Sequence, residues 1–182
     1  HIKLDTGMRR IGLEPDEKSI EIVKKIKELP NLNARGIFTH FATADEKDKT
    51  KTIGQFNKFN AFINKLKEDG ITFEVRHCAN SAAIIDMPET NEDMVRLGIA
   101  LYGMYPSDEV EADRIRLQPA LELKSHVTMV KTIDAGEDVG YGASYTTDRK
   151  TILATVSVGY GDGYPRSLSS KGYVLINGCK AP

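Results

Sequence analysis

The feature that most constrains this chain is a change of hydrophobic rhythm partway along it. Over the first hundred residues, strand-like and helix-like stretches alternate; beyond about residue 118 the helical period disappears and apolar residues alternate with polar ones. A period near 3.6 marks a helix with one buried face, and a period of two marks a half-buried strand. The chain therefore reads as two domains. Residues 1–117 form a parallel α/β domain and residues 118–182 an all-β domain.

In the first domain, a strand is expected over His1–Asp5, followed by a turn at Gly7. A helix starts at Pro15-Asp16, carries Ile20, Ile22, Val23, Ile26 and Leu29, and stops at Pro30, which cannot extend the hydrogen-bond ladder. A second strand covers Ala34–Phe41. The helix that follows, Thr50–Asp69, spaces Ile53, Phe56, Phe59, Phe62, Ile63 and Leu66 along one face, with Gly70 as its carboxyl-terminal cap. A third strand, Thr72–Cys78, precedes a short helix at Ser81–Asp86, and a fourth covers Met94–Leu101. This order implies a parallel sheet with right-handed crossovers, either half of an eightfold barrel or a doubly wound open sheet. No G-x-G-x-x-G fingerprint joins a strand to a helix. The charged stretch Tyr105–Pro119 reads as a linker. In the β region, Leu121, Leu123, Val127 and Met129 alternate with polar residues. Gly136-Glu137-Asp138 forms a turn, and strands follow at Thr151–Val158 and Tyr173–Ile176.

Composition excludes several classes. Twenty-five basic and 26 acidic residues give a net charge of −1, so no surplus of either sign points to nucleic acid or a charged membrane surface. No apolar run approaches the ~20 residues that span a bilayer, and the opening residues lack the layout of a signal peptide. Cys78 and Cys179 lie far apart, and no C-x-x-C or H-x-x-x-H spacing offers a metal site. Sparse cysteine fits a reducing compartment, so the expected location is the cytoplasm. The chain opens on His1 directly into a strand, and Cys179–Pro182 follow a strand with no closing element. Both ends read as cuts through a larger protein.

In parallel α/β architectures, ligands gather at the carboxyl ends of strands. Those ends offer Asp5–Arg10, Thr39-His40-Phe41, His77–Ser81 and Arg96–Ile99. Arginines, a histidine, an amide, a hydroxyl and a backbone glycine suit an anionic, aromatic ligand. Each part also has a plain structural explanation. His40 can bond a neighbouring backbone group. Asn80-Ser81 before Ala82-Ala83-Ile84 is a sound helix start, and capping alone accounts for it. Arg96, set in an apolar strand, requires acceptors, and a structural ion pair would supply them.

The combination is more specific than its parts. Lys3–Gly12, Gly36–Glu46, His77–Ala83, Val95–Gly103, Val139–Tyr145 and Val158–Arg166, in that order, resemble the alanine racemases along essentially the whole chain. The resemblance implies the second half of a TIM-like (β/α)8 barrel followed by the beginning of an all-β domain. It also implies pyridoxal 5'-phosphate as cofactor and a head-to-tail homodimer that shares its active sites. The implied activity is interconversion of L- and D-alanine by two opposed bases, supplying D-alanine for peptidoglycan. By the same likeness, Arg96 faces the cofactor's pyridine nitrogen. A guanidinium with a pKa above about 12 does not readily donate its proton, so the cofactor is a weaker electron sink. Ser81, Gly98 and Ile99 match phosphate contacts. Arg10 matches an arginine near the cofactor and the substrate carboxylate. Lys3 matches a lysine carbamylated in many members, a modification that would let it hold Arg10 rather than repel it. Tyr141 matches one catalytic base, and His40 links it to Arg96. Asp45, Tyr160 and Arg166 resemble residues of a substrate entry corridor, although Gly161-Asp162-Gly163 also fits plain turn chemistry. Arg9 departs from the family, which usually has glycine there. The second base of the family is the lysine that carries the cofactor, and no lysine here has its context. The chain alone is therefore expected to be inactive. The competing readings are a related barrel-type decarboxylase, which puts an acid where Arg96 stands, and a folding or dimerisation module without activity.

Overall fold

The computed structural model describes residues 1–182. The chain divides into two compact units, His1–Leu121 and Glu122–Pro182.

The first unit is built on three parallel strands, β1 (Ile2–Lys3), β2 (Gly36–Phe38) and β3 (Val75–His77), side by side in chain order. Helix α1 (Glu17–Glu28) connects β1 to β2, and α2 (Thr50–Glu68) connects β2 to β3. Asp16 caps α1 by accepting the Ser19 amide at 2.9 Å, which supplies one of the acceptors a helix start lacks. Helix α2 closes through a Schellman turn. Gly70 takes φ +75° while its amide bonds Lys67 O, and the Ile71 amide bonds Leu66 O at 2.8 Å. Leu66 and Ile71 also pack together in the core. Ile2, Leu4 and Ile37 from the sheet meet Ile20 and Val23 of α1 and Phe59, Phe62 and Leu66 of α2. A second apolar cluster gathers Phe41, Ala44, Cys78, Ala79 and Ala83 around α3 (Ser81–Asp86), and Phe56 touches both clusters.

Three expectations are corrected. The strands are shorter than the sequence patterns predict, and Met94–Leu101 is not a strand. Only two backbone bonds reach β3 and its continuation, from Asp93 N to Arg76 O and from Arg96 N to Ala79 O. Their three-residue spacing does not match a ladder, in which residues facing one neighbour are two apart. A turn of 3-10 helix then occupies Ile99–Tyr102. Nor is Tyr105–Pro119 a linker. The Ala120 amide bonds Tyr102 O at 3.0 Å, Tyr105 donates its hydroxyl to Ile115 O at 2.7 Å, and Val110 is buried. The stretch packs on the α3 side of the unit and returns to its starting point.

The second unit is antiparallel. Strand β4 (Val127–Ile133) pairs with β7 (Thr151–Val156), β5 (Asp138–Val139) with β6 (Tyr145–Thr146), and β8 (Val174–Ile176) with β9 (Cys179–Ala181). The last pair is the third correction, because the segment after Ile176 does have a closing element. Asn177 and Gly178 both take positive φ, 50° and 79°, and turn the chain in two residues. Asn-Gly is the characteristic pair for such a hairpin.

Candidate active site

The site forms where β2 and β3 end. Arg96, carried on the extended run after Asp93, reaches back over those ends. Its Nη2 directs its two protons to three acceptors, Thr39 O at 2.8 Å, Cys78 O at 3.1 Å and Nδ1 of His40 at 3.2 Å, so one proton is shared between two of them. Its Nη1 donates to Nδ1 of His77, and the guanidinium lies 5.2 Å from the centroid of Phe38. Every acceptor is a neutral carbonyl or imidazole nitrogen, and Arg96 makes no ion pair.

This arrangement fixes the protons on both histidines. Arg96 can only donate, so each Nδ1 must accept and each ring carries its proton on Nε2. His77 then passes that proton's hydrogen bond to Nδ1 of His1 at 2.8 Å, while its ring stacks on Phe38. Burial first, then the Arg96 charge and the chain's amino terminus, push the His77 pKa down to about 4. His40 is lowered by the same burial and by Arg96, Arg10 and Lys3. Burial also lowers Arg96 itself.

A cleft of about 340 Å³ opens beside this network. His40, Arg96, Ser81, Gly98, Ile99 and Asp45 line it, with Met8 contributed from the β1 side. Asn80 caps α3 by accepting the Ala83 amide, which presents Ser81 at the helix start. The Ser81 oxygen accepts the amides of Gly98 at 2.9 Å and Ala100 at 3.3 Å. With both lone pairs engaged, its proton remains for a ligand. Gly98 is bonded to that serine rather than presenting a free amide.

Other expected residues lie elsewhere. Arg10 is exposed and does not line the cleft, although it is near enough to lower His40. The loop that carries it is shaped by Asp5, whose carboxylate accepts the Gly7 and Arg9 amides, both at 3.0 Å. Burial raises the Asp5 pKa, but those two amides together with the Arg9 and Lys3 charges outweigh it and hold the group below its ordinary range. Lys3 donates to Ile11 O at 2.6 Å. Desolvation lowers its pKa, with Arg10 and Arg96 adding to the shift and Asp5 opposing it. Lys3 borders a separate, larger cavity of about 550 Å³ beside β1, with Ile2, Leu13 and Ile26. That cavity is lined by His1 but by none of the Arg96 partners, so the smaller cleft is the chemical one. Tyr141, Tyr160 and Arg166 belong to the second unit. Tyr141 sits between Gly140 and Gly142, both at positive φ, and is 90% exposed. Arg166 lies 5.9 Å from the Tyr160 ring.

Sequence reasoning assigned no role to His77 or Gln55. His77 ends β3 as His40 follows β2, which was the available signal. Gln55 falls on the inward face of α2 with Thr52, Phe59, Phe62 and Leu66, and a polar residue in such a row is itself informative.

A half-buried cation held only by neutral acceptors, beside a hydroxyl with its proton to spare, makes a positively charged, hydrogen-bonding cleft on a parallel α/β unit. Residues 1–106 match the family "alanine racemase, N-terminal domain" and residues 120–182 match "alanine racemase, C-terminal domain". The chain belongs to the alanine racemase family. It is 52% identical over 181 residues to an alanine racemase of Desulforamulus reducens, covering 100% of this chain and 49% of that protein. Among solved structures, alanine racemase of Clostridium difficile 630 superposes with a TM-score of 0.89 at 44% identity, over 99% of this chain and 47% of the other. The alanine racemase of Bacillus anthracis with bound L-Ala-P superposes at 0.82 with 36% identity, over 100% and 47%. The chain thus has the fold of these racemases and spans about half the length of the curated relatives it matches. No helix is long and apolar enough to cross a membrane.

Proposed function

We propose that this chain supplies the arginine–histidine wall and the phosphate end of a pyridoxal-phosphate site in an enzyme that interconverts L- and D-alanine. Residues 1–117 serve as part of the second half of the (β/α)8 barrel and residues 118–182 as the start of the β domain. The enzyme works in the cytoplasm as a homodimer. The observation that carries this reading is Arg96, a guanidinium without a counter-ion at the edge of a cleft containing Ser81. A decarboxylase of related architecture would put an acid there.

Pyridoxal phosphate, when bound, draws electrons from the amino acid and makes its Cα proton acidic. The cleft's donors fit such a group: a hydroxyl proton at Ser81 and the backbone at Ile99 for the phosphate, with Gly98 reaching it only if its amide leaves Ser81, and the Arg96 cation for the ring nitrogen. Arg10 attracts the substrate carboxylate, and carbamylation of Lys3, favoured by its lowered pKa, would hold Arg10. Tyr141 serves the active site of the partner subunit, where it takes or returns the Cα proton on one face, and there the histidine equivalent to His40 couples it to the arginine charge. Reaction through the opposite face requires a second base, which matches no lysine of this chain. Asp45, Tyr160 and Arg166 line the approach for a small amino acid.

In the full-length protein that contains this chain, Tyr141→Phe keeps the ring and removes the ionisable hydroxyl. Cofactor affinity should be unchanged. Racemisation should fall about 10²- to 10⁴-fold, more for one enantiomer than the other, as read by following each alanine enantiomer separately. Unchanged turnover in both directions would remove Tyr141 from the mechanism.

A further inference from the structure

Behind the cleft lies a buried polar chain that the proposed mechanism does not use. Gln55 on α2 is buried, yet its amide is fully engaged. Its Oε1 accepts the Ala42 amide at 2.9 Å, and its Nε2 donates to His40 O at 3.1 Å and to Thr6 Oγ1 at 3.2 Å. Thr6 Oγ1 lies 2.7 Å from Thr39 Oγ1, which reaches Leu4 O at 3.0 Å. Leu4 O can only accept, so the Thr39 proton points to it. Thr6 must therefore donate to Thr39 and accept from Gln55. The direction of every bond is thereby fixed, from Gln55 through two hydroxyls to the backbone of the β1 end. The neighbouring amides also leave one orientation for the Gln55 head group, since Ala42 N–H needs oxygen and His40 O needs nitrogen.

Gln55 does not line the cleft, but what it holds does. Its bonds fasten the backbone on either side of Phe41, so that His40 and Ala42 cannot shift independently. A Cβ placed on Gly7 would meet Gln55 Cγ at 3.2 Å, so the turn that delivers Met8 also rests on this side chain. The backbone of His40 is fixed from behind by Gln55, and its ring is fixed from the front by Arg96.

We propose that Gln55 is a positioning residue for the site. It locks the two loops after β1 and β2 so that His40 presents Nδ1 to Arg96 and Nε2–H away from it. This rests on the proposed function for its kinetic consequence only. Relaxing that clamp by a fraction of an ångström costs reaction rate more than it costs substrate binding.

The test uses the full-length protein and three variants. Gln55→Met keeps the volume and removes all three bonds. Gln55→Glu keeps the acceptor for Ala42 and donates only when its carboxyl is protonated. Leu66→Ala, on the same helix but away from both loops, reports simple destabilisation. We expect Gln55→Met to lower kcat for alanine about ten- to a hundredfold, with KM changed less than about threefold. Leu66→Ala should lower Tm with kcat intact. Gln55→Glu should lose less, relative to the unmodified protein at the same pH, as the pH is lowered. Side-chain 15N spectra of the cofactor-free protein give a readout independent of activity. His40 should show one tautomer, protonated on Nε2, and average between both tautomers in Gln55→Met. A single retained tautomer, with a kcat loss no greater than that of Leu66→Ala, overturns the proposal. If Gln55→Met does not fold, the same spectrum of Gln55→Glu at neutral pH decides. If the unmodified protein does not racemise alanine, the proposed function fails while the His40 spectra still decide the role of Gln55.

Discussion

The two units use their apolar residues in opposite ways. Every buried apolar side chain lies in the first, and Thr147 is the only buried residue of the second. In the first, a small parallel sheet is sealed by α1 and α2, and the polar groups at the strand ends are paired within the unit. In the second, the strands form two-stranded ribbons whose apolar residues, such as Ile152 at 73% and Leu175 at 64% exposure, face outward. Isolated ribbons bury little, and they need a further layer to become stable. The first unit therefore holds a prearranged electrostatic site on its own core, while the second presents side chains, Tyr141 foremost, on an uncovered framework.

The largest expected effect that would sharpen this contrast comes from paired truncations in the 182-residue chain. Leu66→Ala should cost about 2–5 kcal/mol, because Leu66 is fully enclosed between sheet and helices. Ile152→Ala should change stability by less than about 0.5 kcal/mol. Denaturant unfolding followed by probes in each unit measures both. Equal costs would break the comparison, since they would mean that the β4–β7 face is covered in solution.

A smaller effect concerns pH. His77 is held at about 4 against an ordinary value of 6.5, so the folded state resists a proton that the unfolded state accepts. Its contribution is complete above pH 6.5 and is lost as pH falls from 6.5 toward 4, and the lowered His40 acts with the same sign. Between about pH 7 and pH 4, the first unit should lose about 3 kcal/mol through His77. In His77→Gln most of that slope should vanish. A slope that survives the substitution would place the pH sensitivity elsewhere.

The smallest expected effect is at Arg9, which adopts φ 58°, a conformation that costs side-chain-bearing residues roughly 1–2 kcal/mol. Its exposed ion pair with Glu14 returns little. Arg9→Gly should raise stability by less than about 1 kcal/mol, visible as a small increase in Tm. A decrease would mean that the ion pair outweighs the backbone strain.

Much of the first unit was legible in the sequence because its elements obey local rules. The apolar spacing of α2 and the cap at Asn80 place Thr50–Glu68 and Ser81–Asp86 where the pattern put them. Met94–Leu101 misled because a β-prone apolar run does not report whether a neighbour completes its ladder, and Leu97, Ile99 and Leu101 are exposed in this chain. Arg96 was recognisable as a charge in an apolar run. Its partners were not, because Thr39, His40, His77 and Cys78 approach it from strand ends 18 to 57 positions away. The Asn177-Gly178 hairpin was readable from its two residues alone, and its omission came from treating the preceding strand as the last.

The excursion between Tyr102 and Ala120 has a consequence for how chain length is tolerated. Gly103, at φ +78°, lets two stretches of backbone touch, since a Cβ there would stand 1.9 Å from Gln118 O. The excursion is also anchored beyond its neck, by Val110 buried in the α3 cluster and by Ser107 bonded to Asp45 O at 2.6 Å, so residues can be added only between those anchors, at a loop-closure cost that grows logarithmically with length. A side chain at Gly103 would act where none of those insertions do, by prising the neck apart.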